Sequence, residues 1–106
     1  MLVMMTADLE KPEGMAKGDF FEVWRQESVA AIEAVKAGAI KSIYKVAGEY
    51  QIIAIMEVDS GDQIDHIVHN LPIWKLGYGH IVPKITWKPL RSYENWAEDL
   101  KELAKS

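Results

Sequence analysis

A glutamate lies where the pattern of its helix calls for an apolar residue. The sequence between Asp19 and Gly38 predicts a helix, and successive residues of a helix are about 100° apart around its axis. On this projection Glu27 falls near the middle of an apolar arc. The arc consists of Phe20, Val23, Trp24, Ala30, Ala31, Ala34 and Val35. Burial raises the pKa of a carboxyl group, which suits a general acid/base, so Glu27 is our candidate catalytic residue.

A purely structural role for Glu27 is the alternative. A buried carboxylate is normally paired, and Lys41, Lys45 and Arg91 are candidate partners across the sheet. Glu27 can also reach solvent at the edge of the arc. The alanines beside it leave space for a ligand, although close packing of the helix on a sheet explains them equally well.

The segment after the second predicted helix supplies further candidates. Trp74 and Tyr78 are possible walls of a lid, and His80 is a candidate second acid/base or oxyanion donor. Nearby glycines would let such a loop move. The alternative is a surface loop whose aromatic side chains pack on a partner subunit.

Other candidates for substrate binding are Trp24 beside Glu27, the hydroxyls of Tyr44 and Tyr50, and the ammonium of Lys45. Core tyrosines with satisfied hydroxyls and a solvent-facing lysine are the alternatives. His66 and His69 have a spacing that can bind a metal ion, but both point away from the apolar stripe of their helix. We therefore expect no metal site.

The elements that must position these residues follow from periodicity and punctuation. Strands are predicted at 1–7, 39–47, 50–58 and 81–90, and helices at 19–37, 60–71 and 92–105, with a loop at 8–18. Capping patterns are Asp19 with Glu22, Ser60 with Gln63, and Ser92, while Gly38 suits a helix end. This order predicts an α+β, ferredoxin-like βαββαβ domain of the dimeric α+β barrel type. The whole chain, 1–106, forms that single domain, with 92–105 as an extra C-terminal helix.

Three details concern the strands and the tail. In the second strand, Ile40, Tyr44 and Val46 are predicted on one face, and Lys41, Ile43 and Lys45 on the other. Pro83 places the last strand at an edge or a bulge. The apolar face of the tail helix is expected to dock on its own sheet or on a neighbouring subunit. That face comprises Tyr93, Trp96, Ala97, Leu100 and Ala104.

Composition limits the classes of function. The chain has 106 residues, 49% hydrophobic and 26% charged, with a net charge of −4 and no cysteine. This balance excludes thiol chemistry and argues against nucleic-acid binding, which needs a basic face. No apolar run is long enough for a membrane span, so a cytoplasmic location is expected. Two helices cover one face of the predicted sheet, and apolar residues on the other face would be exposed in a monomer. Packing of two sheets against each other would bury them, so a homo-oligomer is expected.

An ordered set of short segments resembles the muconolactone delta-isomerase family. The segments are Lys45-Val46-Ala47-Gly48-Glu49-Tyr50 and Leu71-Pro72-Ile73-Trp74, within a similarity over about residues 24–74. The resemblance implies a ferredoxin-like, oligomeric enzyme that moves a proton within an unsaturated lactone without metal or organic cofactor. It places the family's helical Glu on Glu27. Two flanking lysines of the family correspond to Trp24 and Ser28, and a hairpin His to Glu49, which favours a more apolar substrate.

Our leading hypothesis is therefore a cofactor-independent isomerase that shifts a proton in a small apolar or lactone-like substrate. Glu27 would remove the proton and return it to another carbon, with His80 or Tyr78 among the groups that stabilise the intermediate. Two other classes stay open. One is a non-catalytic small-molecule binding or accessory protein, and the other is a cofactor-free monooxygenase of the same barrel group.

Overall fold

The computed structural model describes residues 1–105 and confirms the α+β class with its extra C-terminal helix. The strands are β1 (Leu2–Asp8), β2 (Ile40–Lys45), β3 (Gln51–Glu57) and β4 (Lys84–Pro89). The helices are α1 (Lys17–Lys36), α2 (Gly61–His69), the short α3 (Pro72–Lys75) and α4 (Tyr93–Leu103), with a 3-10 turn at Gly79–Ile81.

The strands form one antiparallel sheet in the order β2-β3-β1-β4. The nearly all-apolar β3 is central, as its composition predicts, and β4 lies at an edge, as Pro83 predicts. The inner face of the sheet carries the main core, and Ile64 and Ile67 of α2 pack against it. The buried members of this core are Val3, Met5, Ala7, Ala54, Met56 and Val58.

A second buried cluster anchors the start of α1. It contains Leu9, Phe20, Val23, Ile73 and Ile81. Because these residues come from three distant parts of the chain, the cluster joins α1 to the segment that follows α2. The consequence for the site is that the first turns of α1 are fixed against residues 73–81.

Helix α1 begins earlier than its predicted capping box, so that prediction is wrong. Its N-cap is Ala16, without a side-chain capping bond, and Asp19 lies in the first turn. The Glu22 carboxylate does not reach back, because it accepts hydrogen bonds from Arg25 Nε at 2.8 Å and Nη2 at 2.7 Å. Asp19 still interacts favourably with the positive end of the helix dipole. The predicted helix end at Gly38 is confirmed, with φ of 83°.

The other two predicted caps are confirmed. Ser60 Oγ accepts a hydrogen bond from the Gln63 N–H at 3.2 Å, and Ser92 Oγ accepts one from the Asn95 N–H at 3.0 Å. The Gln63 side chain also accepts a bond from the Asp59 N–H. These bonds satisfy amides that a helix start otherwise leaves without partners.

The predicted faces of β2 are correct for Ile43, Tyr44 and Lys45 but wrong for Ile40, because the strand is irregular. Ile40 lies opposite Met56 and Ile43 lies opposite Ala54, with a register shift between Ile40 and Ser42. A shift of this kind moves the following side chains to the other face. Ile40 therefore shares the inner face with Ile43, whereas Tyr44 lies opposite Ile53 on the outer face.

The segment between α2 and β4 also differs from prediction. The sequence predicts a loop after the second helix and a strand from 81, but α3 and the 3-10 turn occupy this region and β4 starts at Lys84. Ile81 is fully buried in the second cluster instead of pairing in the sheet. Pro72 opens α3, since the fixed φ of proline suits the first position of a helix.

Helix α4 does not dock on its own sheet, which corrects one of the two predicted arrangements. Within residues 1–105 it packs against no other helix or strand of the chain. Its apolar side chains are exposed, with Tyr93 at 76% and Leu103 at 56%. The molecule is consequently long, with extents of 59 × 27 × 23 Å.

None of the helices described is both long and apolar enough to cross a membrane.

Candidate active site

A cavity of about 590 Å³ separates α1 from the inner face of the sheet. Residues from all four strands or their ends, from α1 and from the α2–α3 segment line it. Most are aliphatic, and the alanines of α1 at 30, 31 and 34 are among them. The space beside the small residues is therefore a gap between helix and sheet and not a close contact.

Glu27 is in this lining and is half-buried. Its Oε2 accepts a hydrogen bond from the backbone N–H of Ile73 at 3.0 Å. Burial raises the pKa of the Glu27 carboxyl, and the hydrogen bond from Ile73 opposes part of that rise. The carboxyl group therefore holds its proton to a higher pH than an ordinary glutamate does.

The alternative of a structural ion pair is wrong in the part of the chain described. No basic group lies within salt-bridge distance of Glu27 among residues 1–105. Lys45 Nζ donates to the carbonyl of Val46 at 3.1 Å, and Arg91 pairs with Asp99 at 2.7 Å. Glu27 is thus held by one backbone amide instead of by a cation.

The amide that binds Glu27 comes from the start of α3. The first amides of a helix have no partner within the helix, and proline at the preceding position has no N–H at all. Ile73 supplies this free amide while its side chain, 2% exposed, is fixed in the second cluster. One residue thus anchors the segment and orients the carboxylate. The sequence does not predict this role for Ile73, although the Leu71-Pro72 pair is typical of a helix start.

The structure brings four of the predicted site residues together at the cavity: Trp24, Glu27, Tyr44 and Lys45. Tyr44 borders the cavity at the β2 edge of the sheet, but its side chain lies on the outer face and the residue is 63% exposed. Ser28 and Asn70 also belong to the lining. Asn70 is not among the residues that the sequence singles out.

Tyr50 is not in the lining but packs beside it. Its ring centroid lies 5.5 Å from that of Trp24, in an edge-to-face arrangement, and 5.8 Å from that of Phe20. Lys45 Nζ lies 6.0 Å from the centroid of the Tyr50 ring. Tyr50 therefore packs against Trp24 and lies near the Lys45 ammonium group, outside the cavity.

Trp74, Tyr78 and His80 lie outside the cavity lining. Trp74 is exposed, and its indole packs on Gly79, where an added Cβ would lie 3.0 Å from the ring. Tyr78 packs against the second cluster, and His80 is exposed. These three residues therefore follow the backbone amide that binds Glu27 in the chain but do not line the cavity.

The two histidines of α2 are exposed, and the ring of His69 lies 5.6 Å from that of Trp74. In the described portion of the chain, no three His, Cys, Asp or Glu side chains are grouped so that they could hold a metal ion.

Solved structures share this fold. A crystal structure of muconolactone isomerase superposes with a TM-score of 0.68 at 17% identity, covering 87% of this chain and 90% of that one. A 5-chloro-2-hydroxyhydroquinone dehydrochlorinase from Burkholderia phenoliruptrix AC1100, in complex with 2,5-dihydroxybenzoquinone, gives a TM-score of 0.57 at 14% identity. That match covers 84% of this chain and 93% of the dehydrochlorinase.

Sequence comparison gives the family. A Muconolactone Delta-isomerase of Cupriavidus pinatubonensis is 25% identical over 83 residues, which are 78% of this chain and 90% of the relative. Residues 1–95 match the family described as muconolactone delta-isomerase. Because this match spans most of the 106 residues, the chain belongs to the muconolactone delta-isomerase family.

Proposed function

We propose that this protein is a cofactor-independent isomerase that moves a proton within an unsaturated lactone or enone, with Glu27 as the general acid/base. Family membership supports isomerase chemistry. The observation that carries the assignment to Glu27 is its position: a half-buried carboxylate in an apolar cavity, held by the Ile73 amide and not by a cation. Such a carboxylate is a stronger base than one in water.

The reaction needs only one proton carrier. The Glu27 carboxylate removes a proton from a carbon α or γ to the substrate carbonyl, and the C–H electron pair enters a conjugated dienolate. The protonated Glu27 then delivers a proton to the other carbon of the dienolate, which shifts the double bond. In D₂O, exchange of the Glu27 proton with solvent before this delivery places deuterium in the product. Atoms and charge balance without an external acid, base or oxidant.

The negative charge that leaves Glu27 must be stabilised on the dienolate oxygen. Lys45 is the cationic residue of the cavity lining and lies on the β2 wall. We assign it the role of attracting that charge, which a placed donor can stabilise by about 10²–10³-fold in rate. Trp24, braced by Tyr50, forms an aromatic wall beside Glu27. Tyr78 and His80, outside the lining, would reach a substrate only after movement of their segment.

The test is proton NMR in D₂O on a panel of unsaturated lactones and enones. With the unmodified protein we expect the double bond to move, or deuterium to enter beside the carbonyl. Glu27→Gln should lower turnover by about 10²–10⁴-fold, the usual contribution of one general acid/base. The amide oxygen of Gln can still accept the Ile73 N–H bond, so the fold should be kept.

Glu33→Gln is the matched control, since Glu33 is exposed on the same helix and forms an ion pair with Lys36 at 3.5 Å. It should keep full turnover. Turnover of Glu27→Gln equal to that of Glu33→Gln would remove Glu27 from the mechanism. Oxygen uptake with aromatic polyols, together with no reaction of any lactone or enone in the panel, would instead favour the monooxygenase class.

A further inference from the structure

The charges of the cavity lining bear on which substrates fit beside Glu27. Among the lining residues within the described part of the chain, 1–105, Glu27 is the only acidic residue and Lys45 the only basic one. The polar side chains that remain are those of Ser28 and Asn70, because the Tyr44 side chain lies on the outer face of the sheet. The cavity therefore holds one negative and one positive group, at different walls, within a mainly aliphatic surface.

The neutral donors of the lining are already committed or lie at its edge. Ser28 Oγ donates to the carbonyl of Arg25 at 2.6 Å, and Asn70 Nδ2 donates to that of His66 at 2.6 Å. Tyr44 belongs to the edge strand and is largely exposed. The second amide hydrogen of Asn70 stays free, but Asn70 is exposed. A carboxylate bound deep in the cavity, away from Asn70 and Lys45, would lack a side-chain donor, and an unpaired buried charge is strongly disfavoured.

The position of the negative charge during proton transfer also disfavours a carboxylate in the cavity. With a neutral substrate, the single negative charge passes from Glu27 to the dienolate oxygen, and the lining has one ammonium group to balance it. With a carboxylated substrate, a second negative charge shares the cavity with Glu27 before the reaction and with the dienolate afterwards. Like charges at close range in a partly desolvated, apolar cavity repel more strongly than they do in bulk water.

From these observations we propose that the cavity selects neutral unsaturated lactones or enones and discriminates against analogues that carry a carboxylate. The inference rests on the proposed function for the identity of the reacting group. It is nevertheless a statement about binding, so it can be tested without turnover.

The probes are a saturated γ-butyrolactone bearing a carboxymethyl group and the methyl ester of the same compound. Neither has a double bond to move, so both report binding alone. Titration at neutral pH, followed through the backbone amide signal of Ile73, gives a dissociation constant for each. We expect the ester to bind at least tenfold more tightly than the acid.

Lys45→Met tests whether the ammonium group can hold a carboxylate, and Lys41→Met is its control on the same strand, since Lys41 is exposed and outside the lining. We expect the preference for the ester to persist in both variants. Acid binding that equals or exceeds ester binding, and that is lost in Lys45→Met alone, would overturn the proposal. Failure of both compounds to shift the Ile73 signal would also overturn it.

Comparison of the acid with its ester also separates this inference from the proposed function. If the ester binds preferentially but the corresponding unsaturated ester is not isomerised, the substrate class stands and the proton-transfer assignment fails. If the unsaturated acid is isomerised faster than its ester, with loss of activity in Glu27→Gln, the catalytic assignment stands and the neutral class is wrong.

Discussion

At the scale of the residue, the chemistry depends on how Glu27 is solvated. Water is partly replaced by aliphatic side chains, and the single hydrogen bond from Ile73 compensates only in part. The pKa of Glu27 is therefore above its ordinary value. A group of this kind destabilises the folded state when it is ionised, which is the thermodynamic cost of a more basic carboxylate.

This raised pKa predicts a specific pH dependence of stability. Between the pKa of Glu27 in the unfolded chain and its higher pKa in the folded chain, the folded state binds more protons. The free energy of unfolding should therefore fall as pH rises through that window. Glu27→Gln cannot ionise, so its stability relative to the unmodified protein should improve as pH rises.

Urea unfolding at a series of pH values measures this difference. Glu33→Gln, on the exposed face of α1, should follow the unmodified protein throughout. A stability difference between Glu27→Gln and the unmodified protein that is constant with pH, or that shrinks as pH rises, would contradict a raised pKa for Glu27.

At the scale of the element, α1 must place Glu27 over the cavity, so its two ends matter. Gly18 lies in the first turn and Gly38 follows the last turn with φ of 83°. At neither position would an added Cβ meet an atom within 4 Å. Substitutions there act through the backbone alone.

The two glycines should therefore respond to alanine in opposite directions. Gly18→Ala should stabilise the protein by about 0.5–1 kcal/mol, because alanine loses less conformational entropy in a helix. Gly38→Ala should destabilise it by about 1–2 kcal/mol, because a left-handed conformation is strained for any residue with a Cβ. Denaturant midpoints of the two variants provide the measurement. Equal signs would mean that α1 does not begin and end where the structure places it.

At the scale of the whole molecule, two apolar surfaces are left without a cover. On the outer face of the sheet Met4 lies opposite Ile55 and Thr6 opposite Ile53, and all four are only partly buried. The apolar side of α4 projects from the body. The radius of gyration, 16.8 Å, exceeds the roughly 13 Å of a compact domain of about this length.

We expect the outer face to be covered by a second copy of the chain, sheet against sheet. Ile55→Glu places a charge in the middle of that face and should convert the assembly to smaller species in sedimentation velocity. Gln26→Glu adds the same charge on the exposed side of α1 and should leave the assembly intact. An unmodified protein that sediments as a monomer, or an Ile55→Glu assembly of unchanged size, would contradict this expectation.

The sequence by itself determined the order and type of the main elements, the caps at Ser60 and Ser92, the helix end at Gly38 and the position of Glu27 on the apolar side of α1. These features follow from local periodicity and short-range hydrogen bonds. Only the tertiary structure decided that the gap beside the alanines is a cavity and that the Ile73 amide, not a lysine, binds Glu27. It also decided that α4 does not dock on its own sheet. Each of these depends on contacts between residues far apart in the chain, whose geometry is fixed by packing. The shift in β2 belongs with them, because the pairing with β3 puts Ile40 on the face opposite to the one that strict alternation predicts.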